Sequence, residues 1–365
     1  MNSMLKGPDF KLGLFAANCS SGSAVTKAPD RWSGSWADNV AAAKIADEVG
    51  LDFLLPVARW IGYGGESNYH NDVLDPTTWM AGLLAVTKNI NVFSTVHTAF
   101  THPLVAAKQF ATADQIGNGR AGVNIVAGWN KTEFDAFGIE LPLGHDDRYE
   151  RAQEWWDVIN KIWSTQGRFD HAGKFFNLTG VEGLPKPVNG SIPVINAGSS
   201  EQGRDFASKN ADFIFTVVDN PSDGADVVKL VSDNAKANYQ RKTGVLTLGH
   251  VVCRPTSSEV DEFIDYYANK NADWVAVDNM MALMGQYAKS FTPEMLATYR
   301  TRFAAGDGSC PLTGTPDEVA ERIYQFAKAG FAGMTIAFFD YTKELPYFAQ
   351  EVLPRLVSKG IRVSQ

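Results

Sequence analysis

Short runs of apolar and β-branched residues alternate along this chain with longer stretches whose apolar positions recur every three or four residues. The short runs lie at 11–17, 51–57, 90–96, 120–127, 192–197, 212–217, 245–252 and 333–339. Each is too brief for a helix and reads as a strand. The longer stretches, at 35–49, 76–88, 103–116, 147–163, 200–210, 223–242, 257–269, 316–329 and 343–358, carry the helical period. Eight strand–helix pairs in succession predict an α/β fold of parallel strands joined by crossover helices. A doubly wound open sheet would normally place a glycine-rich nucleotide fingerprint after its first strand. Residues 18–23 read Asn-Cys-Ser-Ser-Gly-Ser and lack it, so the expectation is a single (β/α)8 TIM barrel spanning residues 1–365.

Two interruptions depart from the alternation, at 58–75 and at 269–310. Loops of that length commonly carry function. The second is expected to be an insertion after the seventh β/α unit, at about 270–310, acting as a mobile lid. Its methionines Met280, Met281 and Met284 either close over a ligand or form helix core. Ala152, Trp156, Ile159 and Trp163 make one helical stripe that reads as core.

Composition narrows the partners. The 365 residues are 45% hydrophobic and carry a net charge of -8, with no block of Lys and Arg that could track a phosphate backbone. Nucleic acid is not an expected partner. No window is apolar enough to span a membrane, and the first 17 residues do not read as a leader, so a soluble cytoplasmic protein is expected. Three scattered cysteines, Cys19, Cys253 and Cys310, support neither a disulfide framework nor a zinc site. The six histidines show no metal-binding spacing, and no metal is expected.

In a barrel, chemistry sits at the carboxyl ends of the strands. The third predicted strand ends at Ser94, Thr95, Val96 and His97, and the fourth carries Asn124 and runs into Gly128 and Trp129. A hydroxyl and an amide inside apolar strands need partners, which are either each other or a ligand. His97 and His250 stand where each could be an acid or base, or simply structural. After the fifth strand, Ser199 and Gln202 match a capping box, while Gly198, Ser199 and Ser200 precede a helix whose N-terminus could receive phosphate. Asp146 reads as an N-cap, and Arg148 as either a solvated charge or a phosphate clamp.

The ordered motifs Gly119-Arg-Ala-Gly-Val-Asn124-Ile-Val-Ala-Gly-Trp129, Glu133, His145-Asp-Asp-Arg148-Tyr149 and Ala197-Gly-Ser-Ser200 resemble the flavin-dependent monooxygenases of the bacterial-luciferase-like family. Within it the chain looks closest to the pyrimidine and dimethyl sulfone monooxygenases. Further matches at Gly62-Tyr63-Gly64-Gly65, Met80-Ala81-Gly82-Leu83 and Gly314-Thr315-Pro316 extend the resemblance nearly end to end.

The resemblance implies an FMN-dependent monooxygenase that uses reduced FMN and molecular oxygen, with an NAD(P)H-dependent flavin reductase as partner and a homodimeric or homotetrameric assembly. Ala58 and Arg59 would flank the flavin, Arg59 replacing a lysine often found there; Asn124 and Glu133 would contact the ring, and Arg148, Tyr149 and Ser200 the phosphate side. Thr95 and Asn124 would frame the place where oxygen meets the flavin. His250 resembles a histidine of the alkanesulfonate monooxygenases, but Leu248 stands where those enzymes have an arginine, which argues against a sulfonate substrate. Trp60, Tyr63 and Trp129 would suit a flat nitrogen heterocycle or a small sulfone, or serve only in packing. A deazaflavin-dependent dehydrogenase and a non-catalytic flavin-binding protein are the alternatives on the same fold.

Overall fold

The computed structural model describes residues 2–7, 9–141, 145–285 and 293–363. Eight parallel strands close into a barrel: β1 (Lys11–Phe15), β2 (Phe53–Leu55), β3 (Asn91–His97), β4 (Ala121–Val126), β7 (Val194–Asn196), β8 (Phe213–Phe215), β9 (Gly244–Cys253) and β11 (Gly333–Ala337). Closure follows from the pairing of β8 with β9, β9 with β11 and β11 with β1. Phe53, Phe93, Ile195, Phe213, Leu246 and Leu248 fill the interior, and Met4 from the amino-terminal segment joins them. A second, larger apolar layer lies between the strands and the helices and contains Trp156, Ile159 and Trp163, as their spacing predicted. Among the described residues no helix is long and apolar enough to cross a membrane, and all three cysteines are buried and free.

All eight predicted strands are present, most of them shortened at the ends because the flanking residues leave the barrel to form loops. The helix expected at 257–269 stops at Ile264 and passes into a π-helical turn, Asp265–Lys270. The stretch 343–358 is two helices, Tyr341–Glu351 and Leu353–Ser358, with Pro354 at the start of the second, where its missing N–H is harmless. The long helix begins at His145, and the side chain of Asp146, the expected N-cap, lies outside the described residues. Three strands lie outside the eight pairs. β5 (Phe169–Ala172) and β6 (Asn177–Val181) form a small antiparallel hairpin, and β10 (Cys310–Gly314) adds in parallel to the upper half of β9.

Over its described residues the predicted lid is a packed layer. Helices Trp274–Leu283 and Pro293–Gly306 lead into β10. Met280 and Met281 are fully buried with Tyr267, Phe303 and Phe339, so they are helix core. Thr26, in the loop after β1, pins the layer by donating its hydroxyl to Tyr267 O at 2.7 Å. The insertion therefore stands on its own apolar core, placed over one side of the barrel mouth.

Candidate active site at the barrel mouth

The register of β3 against β4 sets Thr95 directly beside Asn124. Thr95 Oγ1 donates to Pro56 O at 2.6 Å, so its lone pairs are left to accept from Asn124 Nδ2 at 3.3 Å. That arrangement fixes the amide's orientation and leaves Asn124 Oδ1 buried without a partner. Both residues line a cavity of ≈ 150 Å³ at the strand ends, together with Ala58, Arg59, Tyr63, His97 and Trp129. The structure thus brings these seven residues of the sequence expectation around one cavity.

Arg59 brings the positive charge. Its guanidinium lies 5.0 Å from the Tyr63 ring and 5.4 Å from the Trp129 ring, within cation–π range of both. Nη1 donates to Glu133 Oε1 at 3.2 Å. Glu133 is not in the cavity: at 1% exposure it sits behind Arg59, and Oε1 also accepts the Trp60 backbone N–H at 2.9 Å. In this position it holds the Arg59 guanidinium in place. Trp60 faces away, half exposed and packed edge-on against Phe137, so it is not a wall of this pocket. His97 lines the cavity, but burial, aided by the Arg59 charge, pushes its pKa down to about 3. It is therefore neutral near pH 7.

A second cleft of ≈ 230 Å³ shares Val126, Trp129 and Ala197 with the mouth, so the two form one continuous groove. Gly198, Ser199, Ser200, Arg148 and Tyr149 line its far end. The helix Glu201–Asn210 is capped by Ser200, whose side chain accepts from Gly203 N, and not by the Ser199–Gln202 box the sequence implied. Arg148 donates Nη1 to Gly128 O at 2.8 Å, while its buried Nε has no partner. An unpartnered guanidinium N–H beside a helix N-terminus is the donor set that suits an anion. Close packing makes that end possible: a Cβ on Gly198 would lie 2.1 Å from Tyr149 Oη and 2.7 Å from Gly203 Cα. Gly198→Ala is expected to displace Tyr149, cost about 1–3 kcal/mol of stability by overpacking and weaken anion binding; thermal melts with and without inorganic phosphate check both effects.

The family model for luciferase-like monooxygenases matches residues 10–333. The chain belongs to the luciferase-like monooxygenase family. It is 30% identical over 358 residues to the pyrimidine monooxygenase RutA of Allorhizobium ampelinum, covering 96% of this chain and 97% of that protein. It is 32% identical over 359 residues to the FMNH2-dependent dimethylsulfone monooxygenase of Pseudomonas putida, covering 94% of each. Among solved structures, a riboflavin lyase with modified FMN and riboflavin shares the fold at a TM-score of 0.86 and 23% identity, over 98% of this chain and 93% of that one.

In this luciferase-like monooxygenase the structure does not bring His250 to the mouth. β9 outruns β8, which ends at Phe215 opposite Leu246, so His250 rises into the insertion. There Tyr267 Oη meets its Nε2 at 3.0 Å, in a separate cavity of ≈ 520 Å³ lined also by Arg302 and Ser309. Three polar groove residues were not among the candidates read from the sequence. His70 reaches the mouth from the 58–75 loop, its Nε2 bound to Gly22 O at 2.6 Å. Asn196 accepts from Gly198 N at 3.0 Å and donates to Ile125 O at 2.7 Å, holding the 198–200 turn against β4. The third is Asp307, from the insertion.

Proposed function

We propose that this luciferase-like monooxygenase is the oxygenating half of a two-component system. A separate NAD(P)H-dependent reductase delivers reduced FMN, and the barrel mouth oxidises a small nitrogen heterocycle or sulfone with cleavage of a C–N or C–S bond. Relatives named for pyrimidines and for dimethylsulfone support that range. The observation that carries the reading is Asn124 Oδ1, a buried acceptor with no donor. Reduced flavin presents a ring N–H where the oxidised ring has only a lone pair, so a fixed acceptor favours the reduced form.

The other groups fit the same cofactor. Arg148, Tyr149 and the serine turn at 199–200 match a ribityl phosphate, and the apolar walls between the two ends of the groove match a flat ring. Reduced FMN supplies the electrons that activate oxygen. The chain's own work is to bind the phosphate, hold the ring with Thr95 and Asn124, and keep water from the mouth. Mixed anaerobically, the wild type should bind reduced FMN roughly tenfold tighter than oxidised FMN, the value of one hydrogen bond, and Asn124→Ala should erase the difference. Equal affinity for the two redox states in the wild type would overturn the reading. Substrate turnover without oxygen would turn it toward hydride transfer.

A further inference from the structure

Asp307 lies outside the eight-stranded barrel, directly after the helix Pro293–Gly306, yet its side chain lines the mouth cavity with Thr95 and Asn124. Its backbone is left-handed, φ 55°, a conformation L-residues adopt at some cost. The turn is clamped there. Arg302 donates Nε to Ser309 O at 2.9 Å and Nη2 to Gly308 O at 2.5 Å, and Ser309 N donates to Gly306 O at 3.0 Å. Packed backbone therefore aims the carboxyl group into the mouth. Its Oδ1 is sealed from water and has no hydrogen-bond partner. Arg59 is the cation that faces it, but that guanidinium gives its Nη1 hydrogen bond to Glu133. Tyr63, Tyr69 and Cys19 are its other titratable neighbours, all neutral near pH 7 because burial raises their pKa values.

A shielded carboxyl oxygen without a donor is costly unless a ligand supplies one. We propose that Asp307 is a specificity-determining residue that accepts a hydrogen bond from a substrate ring N–H, which selects lactam or imide heterocycles over sulfones. The inference rests on the reading of the groove as a flavin and substrate site. A sulfone offers only acceptor oxygens, which a carboxylate repels. A site built around an N–H rejects analogues that lack it, because the protein's own polar group is then left unpaired. Burial lifts the Asp307 carboxyl to about 7 against the opposing Arg59 charge, so the carboxylate, the stronger acceptor, grows in as pH rises through that value.

The test is equilibrium binding of uracil, 1,3-dimethyluracil and dimethyl sulfone to the wild type and to Asp307→Ala, anaerobically with reduced FMN present. Wild-type affinity for uracil should rise between about pH 6 and pH 8 as the carboxylate forms. Asp307→Ala should weaken uracil binding about 30-fold, the loss of a hydrogen bond to a charged group, and flatten the pH profile. Dimethyluracil and dimethyl sulfone should bind weakly to both proteins. Unchanged reduced-FMN affinity in Asp307→Ala confirms an intact groove. If the variant then binds uracil as tightly as the wild type, or if dimethyl sulfone is the better wild-type ligand, the role of Asp307 is overturned while the flavin reading stands. A wild type that does not bind reduced FMN removes both.

Discussion

Replacing Glu133 with alanine is expected to lower the unfolding free energy by about 3–5 kcal/mol, the usual cost of stripping one partner from a buried ion pair. Arg59 and Glu133 are 8% and 1% exposed, so neither charge has water to fall back on. The variant would keep a guanidinium wedged between Tyr63 and Trp129 with its Nη1 bond gone, and would also leave the Trp60 N–H without its acceptor. Urea unfolding measures the loss. The double variant Arg59→Met/Glu133→Leu should recover most of it, since apolar isosteres avoid desolvating two charges, but it should not recover function at the mouth. A loss below about 1 kcal/mol in Glu133→Ala would mean that the Arg59 charge is hydrated through the cavity and that the pair is not a structural keystone.

Arg148→Ala should weaken reduced-FMN binding by roughly 10- to 150-fold, corresponding to about 1.5–3 kcal/mol for charge-assisted bonds to a phosphate. The side chain is held in place by Gly128 O with Nε left over for a ligand. Riboflavin, which has no phosphate, separates this from general damage: its affinity should be nearly the same in wild type and variant, so that the preference for FMN over riboflavin shrinks. Arg148→Lys should recover only part of that preference, because an ammonium keeps the charge but not the planar fork. A variant that loses FMN and riboflavin equally would show that Arg148 shapes the turn rather than clamps an anion.

The barrel was legible because alternation of apolar strands and amphipathic helices is a local property, written in windows of five to fifteen residues. The same holds for Thr95 and Asn124, which sit on neighbouring strands near their carboxyl ends. What escaped depends on contacts between distant segments. β10 begins Cys-Pro, and a proline in a five-residue run hides a strand; here it is tolerated because the strand is an add-on to β9. Gly306-Asp307-Gly308-Ser309 reads as a solvent-exposed turn, and only the packing of its helix against β9 turns the carboxyl inward. A Cβ on Gly306 would meet His250 Cβ at 2.5 Å, which measures how closely the two elements approach. His250 lies away from the mouth for the opposite reason. It follows Leu246 and Leu248 in strand alternation, yet at its level β8 has already ended and β10 has taken its place beside β9.

β10 also changes what the groove is made of. The half proposed to hold flavin, Thr95, Asn124, Arg148 and the turn at 198–200, is carried by the barrel's own strands and the segments that follow them. Asp307 arrives on a segment whose end is stitched to β9 by five register pairs, from Cys310↔Gly249 to Gly314↔Cys253. Such an attachment lets the segment vary in length and sequence before Cys310 while the stitched end stays in place. On the proposed reading, cofactor binding and substrate choice therefore sit on separate stretches of the chain, so that a change in one need not disturb the other.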